Sequence, residues 1–245
     1  MLIAALLAAL FFLPRIALAV LVALLLLFAA LEWAHLCRLN TASSWLFAIT
    51  LAVVFLALHY LHLETEMFVL AAIFWIIIAP LWMWRGVRPG QTTSIGAAGF
   101  AVLVPAGLAM LALKPLEVLL VLVLVWIADS AAYFVGRAWG RRKLAPSISP
   151  GKSWEGALGG VAGAAAYAII CGFFIQSVAW VGFLSAAILL AMVSIVGDLF
   201  ESAAKRQAGV KDSGTLLPGH GGILDRIDSA TAVLPLAALL WPAIR

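Results

Sequence analysis

Residues 16–37 read IALAVLVALLLLFAALEWAHLC. One carboxylate, Glu32, and one imidazole, His35, interrupt an otherwise apolar run. A helix of this length rises about 30 Å, the thickness of a bilayer's hydrocarbon core. Comparable runs fall at 1–13, 45–61, 67–84, 94–113, 116–136, 154–177, 181–201 and 229–244. Lipid offers no partner to an open backbone N–H or C=O, so each run is expected to close its hydrogen bonds within itself as a helix. The expected fold is an all-α, polytopic integral membrane protein with about nine transmembrane helices.

Composition agrees. Of 245 residues, 66% are hydrophobic and 11% charged, against about 25% charged in soluble domains. Mean hydropathy is +1.16. The net charge of +4 is read as basic flanks of membrane helices rather than a nucleic-acid surface. Cys37 and Cys171 lie far apart in apolar surroundings, with no zinc or disulfide framework. The opening MLIAALLAALFFL lacks the basic lead of a signal peptide and is expected to be a short, retained first span.

Charge also sets an orientation. With the N-terminus inside, the inside segments hold 12 of the 15 Lys and Arg residues: Arg38, Arg85, Arg88, Arg137, Arg141, Arg142, Lys143, Lys152, Lys205, Arg206, Lys211 and Arg226. Arg15, Lys114 and Arg245 fall outside. This bias is the positive-inside pattern. It places the working face on the cytoplasmic side, and the expected location is a bacterial inner membrane. One membrane domain, 1–245, is expected, with scaffold spans and a candidate dimer surface in 1–113 and catalytic spans in 114–245. Two inside loops, 137–153 and 202–228, are long enough for a site. Gly156, Gly159, Gly160 and Gly163 suit close helix packing, either within the chain or between two copies. The ten tryptophans are read mainly as an interfacial belt.

The second loop and its flanks, GDLFESAAKR (197–206) and KDSGTLLPGHGGILDRIDS (211–229), mix acidic, basic and glycine residues between two spans. Asp198 lies a turn inside its span, where a bare charge costs about 2.5–3.5 kcal/mol, so it calls for a cation or a basic partner. If the helix continues, Asp198, Glu201, Ser202 and Lys205 share one face. Asp225, Asp228 and Ser229 repeat the spacing at the start of the last helix. The helix dipole accounts for one carboxylate there but not for Asp198 at the other helix's end. Mg²⁺ accounts for both: it takes one or two carboxylates together with substrate phosphates and water. Asp198 and Asp225 are the expected metal ligands, with a second cation left open. Gly221 and Gly222, after His220, would let backbone N–H groups approach a phosphate. Lys205, Arg206, Lys211 and Arg226 would balance its charge. Gly151-Lys152-Ser153 is not a P-loop, because Pro146 stands where that motif needs glycine.

These residues resemble the phosphatidate cytidylyltransferase, or CDP-diacylglycerol synthase, family. Its signature runs S-x-x-K-R, four residues, K-D, then Leu-Pro-Gly-His-Gly-Gly and D-R-x-D. Ser202, Lys205, Arg206, Lys211, Asp212, Leu217, Pro218, Gly219, His220, Gly221, Gly222, Asp225, Arg226 and Asp228 match it in order. Ser149-Pro-Gly-Lys152-Ser153-Trp-Glu-Gly156 is similar to a second family segment, with Gly151 where lysine is common, and Asp129 and Glu32-Trp33 are similar as well. The resemblance implies that the phosphate of phosphatidic acid attacks the α-phosphorus of CTP, releasing pyrophosphate, in phospholipid biosynthesis. With Asp198 taken from the reading of the residues above, the resemblance gives catalytic roles to Asp198, Asp225, Lys205, Lys211 and Asp228. It assigns substrate contacts to Lys152, Ser153, Ser149, Ser202, Arg206, Asp212, His220, Gly221, Gly222, Arg226 and Asp129. The implied partners are CTP, phosphatidic acid, bilayer lipid and a second copy of the chain, without nucleic acid. Glu32 is read as a partner for a loop arginine. A CTP- or ATP-dependent polyprenol or lipid kinase and a transporter are the competing classes; the chain has no internal repeat and its charges crowd one face, against a transporter.

Overall fold

The computed structural model describes residues 2–86, 92–175, 179–214 and 221–244. The helices are α1 (Leu2–Phe12), α2 (Arg15–Leu36), α3 (Thr41–Tyr60), α4 (Glu64–Ile73), α5 (Ala79–Trp84), α6 (Thr92–Ala112), α7 (Pro115–Trp139), α8 (Trp154–Phe174), α9 (Trp180–Ala208) and α10 (Leu224–Ile244). A π-helical turn, Phe74–Ile78, joins α4 to α5, and Glu64–Trp84 is a single membrane-length unit. The wide turn sits beside Pro80, which lacks an N–H and crowds the carbonyl one turn earlier. Among the described residues, eight units are long and apolar enough to cross a bilayer. The expected ninth, α1, has 11 residues and rises only about 16 Å.

Local chemistry sets the helix ends. Asn40 accepts the Ser43 N–H at 2.9 Å ahead of α3. Pro115 opens α7, where Glu117 reaches back to the Lys114 N–H at 2.9 Å. Gly209, at φ +73°, stops α9 in the left-handed conformation that glycine adopts without strain.

Two loop boundaries differ from the sequence expectation. The segment 137–153 holds the end of α7 and then a small antiparallel hairpin, β1 (Lys143–Ala145) with β2 (Ser149–Ser153), a minor departure from an all-α fold. The segment 202–228 is largely helical, because α9 continues to Ala208 and α10 begins at Leu224. Hydropathy marks the end of the apolar slab, not of the helix; Lys205 and Arg206 at a C-terminus and Asp225 at an N-terminus favour continuation.

The helices that carry the charged residues pack closely. Gly156, Gly159, Gly160 and Gly163 on α8 all face α7: an added Cβ would stand 2.8 Å from the Ala132 carbonyl, 2.6 Å from Val135, 2.9 Å from the Ala128 carbonyl and 2.8 Å from Ala131, respectively. The glycine seam is therefore used within the chain. Gly197 does the same between α9 and α10, where a Cβ would lie 2.9 Å from both Ala232 and the Asp228 carbonyl. Phe200 is held among Trp33, Phe74, Trp75 and Trp82, with ring centroids 5.1–6.4 Å apart. Trp33 and Trp75 are thus core residues, not part of a belt; Trp84, Trp139 and Trp154 are exposed.

Candidate active site

Four separate contacts bring the expected inside segments to one end of the bundle. Arg38, just after α2, donates to the Ala208 carbonyl at 3.0 Å and satisfies the end of α9. Arg206 Nε donates to the Ile148 carbonyl of the hairpin at 3.3 Å. Lys152 on β2 forms an ion pair with Asp198. Glu32 on α2 accepts the N–H groups of Ile223 and Leu224 at 3.0 and 2.9 Å.

Between α7, the hairpin, α8, α9 and α10 lies a polar cavity of about 640 Å³. Asp129, Asp198, Asp225 and Asp228 open into it, with Arg137, Ser149, Lys152 and Ser153. Asp129, Asp198 and Asp228 interact electrostatically with one another and with Lys152. Ser202 Oγ donates to Asp198 Oδ1 at 3.4 Å. The hairpin is braced from below: Ser153 caps α8 by accepting the Gly156 N–H at 3.1 Å, and Glu155 accepts the Arg141 and Arg142 N–H groups at 3.0 and 3.2 Å. This bracing aims Lys152 at the carboxylates. Arg137 lies on the wall and donates to Tyr133 at 3.0 Å.

Asp225 is committed differently from Asp198. Its Oδ1 accepts from Lys205 Nζ at 2.6 Å. Its Oδ2 accepts the Ser213 N–H, the Ser213 hydroxyl and the Gly222 N–H at 3.0, 2.8 and 2.9 Å. Lys205 also lies 2.5 Å from Glu201 Oε2. Gly221, at φ +81°, turns the chain so that Gly222 can donate, and no Cβ fits at Gly222 beside Glu32.

A second cavity, of about 210 Å³, shares two lining residues with the first, Asp129 and Asp228. Its walls are apolar: Val22 and Leu25 of α2, Met110 of α6, and Val125 and Trp126 of α7. Asp129, Arg226 and Asp228 are the charged residues of its lining. Asp129 and Asp228 thus border both cavities.

The remaining expected site residues lie elsewhere. Lys211 and Asp212 are exposed on the turn after α9 and do not line either cavity. Arg206 is exposed and grips the hairpin. His220, with Leu217, Pro218 and Gly219, falls outside the described residues. Glu32 meets backbone N–H groups and Ser213, whose hydroxyl donates to Oε2 at 3.2 Å, instead of a loop arginine. Ser213 went unremarked in the sequence, although its neighbours Lys211 and Asp212 carried the motif. Among the described residues no three Asp, Glu, His or Cys side chains form a self-sufficient metal cage.

Comparison with known proteins gives the family. A model of the cytidylyltransferase family matches residues 1–243. A phosphatidate cytidylyltransferase of Pseudomonas aeruginosa is 43% identical over 228 residues, 87% of this chain and 84% of that protein. Phosphatidate cytidylyltransferases of Haemophilus influenzae and Bacillus subtilis are 50% and 47% identical over 128 and 119 residues. Those two alignments span 50% and 48% of this chain and 44% of each relative. With the family model covering nearly every residue, and a relative aligned along most of both chains, this multi-span membrane protein belongs to the cytidylyltransferase family.

Proposed function

We propose that the chain transfers CMP from CTP to phosphatidic acid. A phosphate oxygen of the lipid attacks the α-phosphorus of CTP, the bond between the α-phosphorus and its bridging oxygen breaks, and pyrophosphate leaves with that oxygen. The observation that carries this reading is that a polar and an apolar cavity share Asp129 and Asp228 in their walls. One substrate is a water-soluble polyanion and the other a lipid, and the reaction needs both at one point. The polar cavity suits the triphosphate, with Lys152 and Arg137 on its wall. The apolar cavity suits acyl chains, and Arg226 in its lining would pair with the headgroup. A phosphate monoester is already anionic at pH 7, so the nucleophile needs no general base. Positioning and charge balance supply the catalysis.

The residues fit Mg²⁺. Three carboxylates (Asp129, Asp198 and Asp228) face one ammonium (Lys152), a formal excess of two negative charges among hard oxygen donors. Mg²⁺ needs only one or two of them, the rest of its shell being water and phosphate. Asp198 is the leading ligand. Asp225, whose oxygens already accept from four donors, would join it by releasing Lys205. When bound, the ion would neutralise the triphosphate and stabilise the charge building on pyrophosphate.

The basic residues gathered at this end, Arg38, Lys152, Lys205 and Arg206 among them, support a cytoplasmic orientation in a bacterial inner membrane, where CTP arrives from the aqueous side and the lipid laterally. A homodimer follows from family resemblance; its contact lies away from the α8 glycine seam, which α7 occupies. The test uses protein in vesicles containing phosphatidic acid, with Mg²⁺ and CTP labelled at the α-phosphate. Label entering the lipid with one pyrophosphate per transfer supports the reading. Release of CDP instead, with no label in the lipid, would indicate a lipid kinase and overturn it.

A further inference from the structure

We propose that Glu32 is a positioning residue for this reaction, acting from the scaffold half of the chain on the carboxylate loop of the catalytic half. Glu32 is 7% exposed, on α2, some 190 residues from the groups it holds. Its Oε1 accepts the Ile223 N–H at 3.0 Å; its Oε2 accepts the Leu224 N–H at 2.9 Å and shares the single proton of the Ser213 hydroxyl, 3.2 Å away, with Asp225. The same hydroxyl lies 2.8 Å from Asp225 Oδ2. Ser213 therefore bridges two carboxylates, one on each half of the chain. The glycines around it leave room for this knot: a Cβ at Gly214 or Gly222 would stand 2.6 or 2.5 Å from the Glu32 carboxylate. Glu32 ties together the residues on both sides of 215–220, and so fixes where Asp225 and the first turn of α10 sit. It lines neither the polar nor the apolar cavity, so it acts through Ser213, Gly222 and Asp225.

A glutamine at this site keeps one acceptor oxygen and turns an NH₂ toward N–H donors, so the knot loosens without a change of volume. The position of Glu32 is enforced by Trp33, whose Nε1 donates to the Ile95 carbonyl at 2.8 Å and whose ring stacks on Phe200. Helix α2 therefore stays in place when the carboxylate is removed.

The inference rests on the proposed reaction for its activity arm and is independent of it for its exchange arm. Amide hydrogen exchange of Glu32→Gln in detergent, without substrate, should quicken at Ile223 and Leu224 by about tenfold and stay unchanged in the middle of α2 and α10. Its kcat should fall about 10–100-fold, the scale for outer-shell partners of metal-ligating side chains, with KM for phosphatidic acid unmoved. Combined with Ser213→Ala, the loss should be far less than the product of the two single losses. Wild-type exchange at Ile223 and Leu224 would overturn the proposal. So would exchange raised throughout the bundle with normal kcat per folded molecule, the pattern of a merely structural residue. If Glu32→Gln does not accumulate, Ser213→Ala is measured alone; normal exchange at Gly222 and normal kcat in that variant would equally overturn it. Failure of labelled CTP to enter lipid with the wild-type protein, alongside the expected exchange pattern, would fault the reaction and leave the positioning intact.

Discussion

Replacing Lys205 with methionine removes one ammonium from between two carboxylates. Lys205 Nζ lies 2.5 Å from Glu201 and 2.6 Å from Asp225, and its side chain is 13% exposed. Asp225 keeps three other donors, from Ser213 and Gly222. Glu201, 3% exposed, also lines a small void with Trp33, Trp75, Phe200 and Asp228, and none of that void's described lining residues is a cation. Removing one partner of a buried ion pair costs about 3–5 kcal/mol, because the other charge is stranded. At about 2–4 °C per kcal/mol for a chain of this size, Lys205→Met should melt at least about 6 °C below wild type in detergent. Adding Glu201→Gln removes the stranded charge, so the double variant should recover part of that loss, by about 1–3 kcal/mol in the cycle. Thermal unfolding of all four proteins in one detergent checks both statements. A single variant within 1 °C of wild type, or strict additivity in the double, would refute the buried-pair reasoning.

Three further outcomes are expected. Gly160→Leu drives a side chain into the Ala128 carbonyl, 2.9 Å from the first added carbon; overpacking of this kind costs about 1–3 kcal/mol, read as a lowered melting temperature, and an unchanged one would mean that α7 and α8 are not in contact there. Met110→Trp fills the apolar cavity, so KM for long-chain phosphatidic acid should rise several-fold while KM for CTP holds; equal effects on both would argue against a separate lipid compartment. Cys37 is 1% exposed, so maleimide labelling of the native protein at pH 7–8 should be slow against that in denaturant; equal rates would show that the end of α2 is open to solvent.

Much of the fold was legible because lipid imposes a simple rule on the sequence. Among the described residues eight of the apolar runs form helices long and apolar enough to cross a bilayer, and basic residues from loops far apart in sequence meet at one end. The candidate site was legible as a cluster: Asp129, Asp198, Asp225, Asp228 and Lys152, which stand in or beside apolar runs, all line one cavity. What hydropathy could not say is where a helix stops once it leaves the slab, so Lys205, Arg206 and Asp225 ride on helices rather than on a loop. Nor does a lone glutamate at 32 disclose that its partners are backbone N–H groups near residue 223. Long-range pairing of that kind depends on which helices adjoin. The split commitments of Asp225, to Lys205 on one oxygen and to the loop on the other, were hidden for the same reason. Trp33 and Trp75 illustrate the limit from another side: an indole can serve an interface or fill a core, and only the packing around Phe200 decides.

The most direct measurement is the turnover of Asp228→Asn in vesicles. Asp228 borders both the polar and the apolar cavity, and the change removes its charge while keeping its shape and its carbonyl, which accepts from Thr231 at 2.7 Å. If the two substrates meet at these carboxylates, kcat should fall by about 100-fold in a protein that is inserted and melts normally. Near-normal kcat in such a protein would contradict the account, because the reaction would then proceed without the charge placed at its junction.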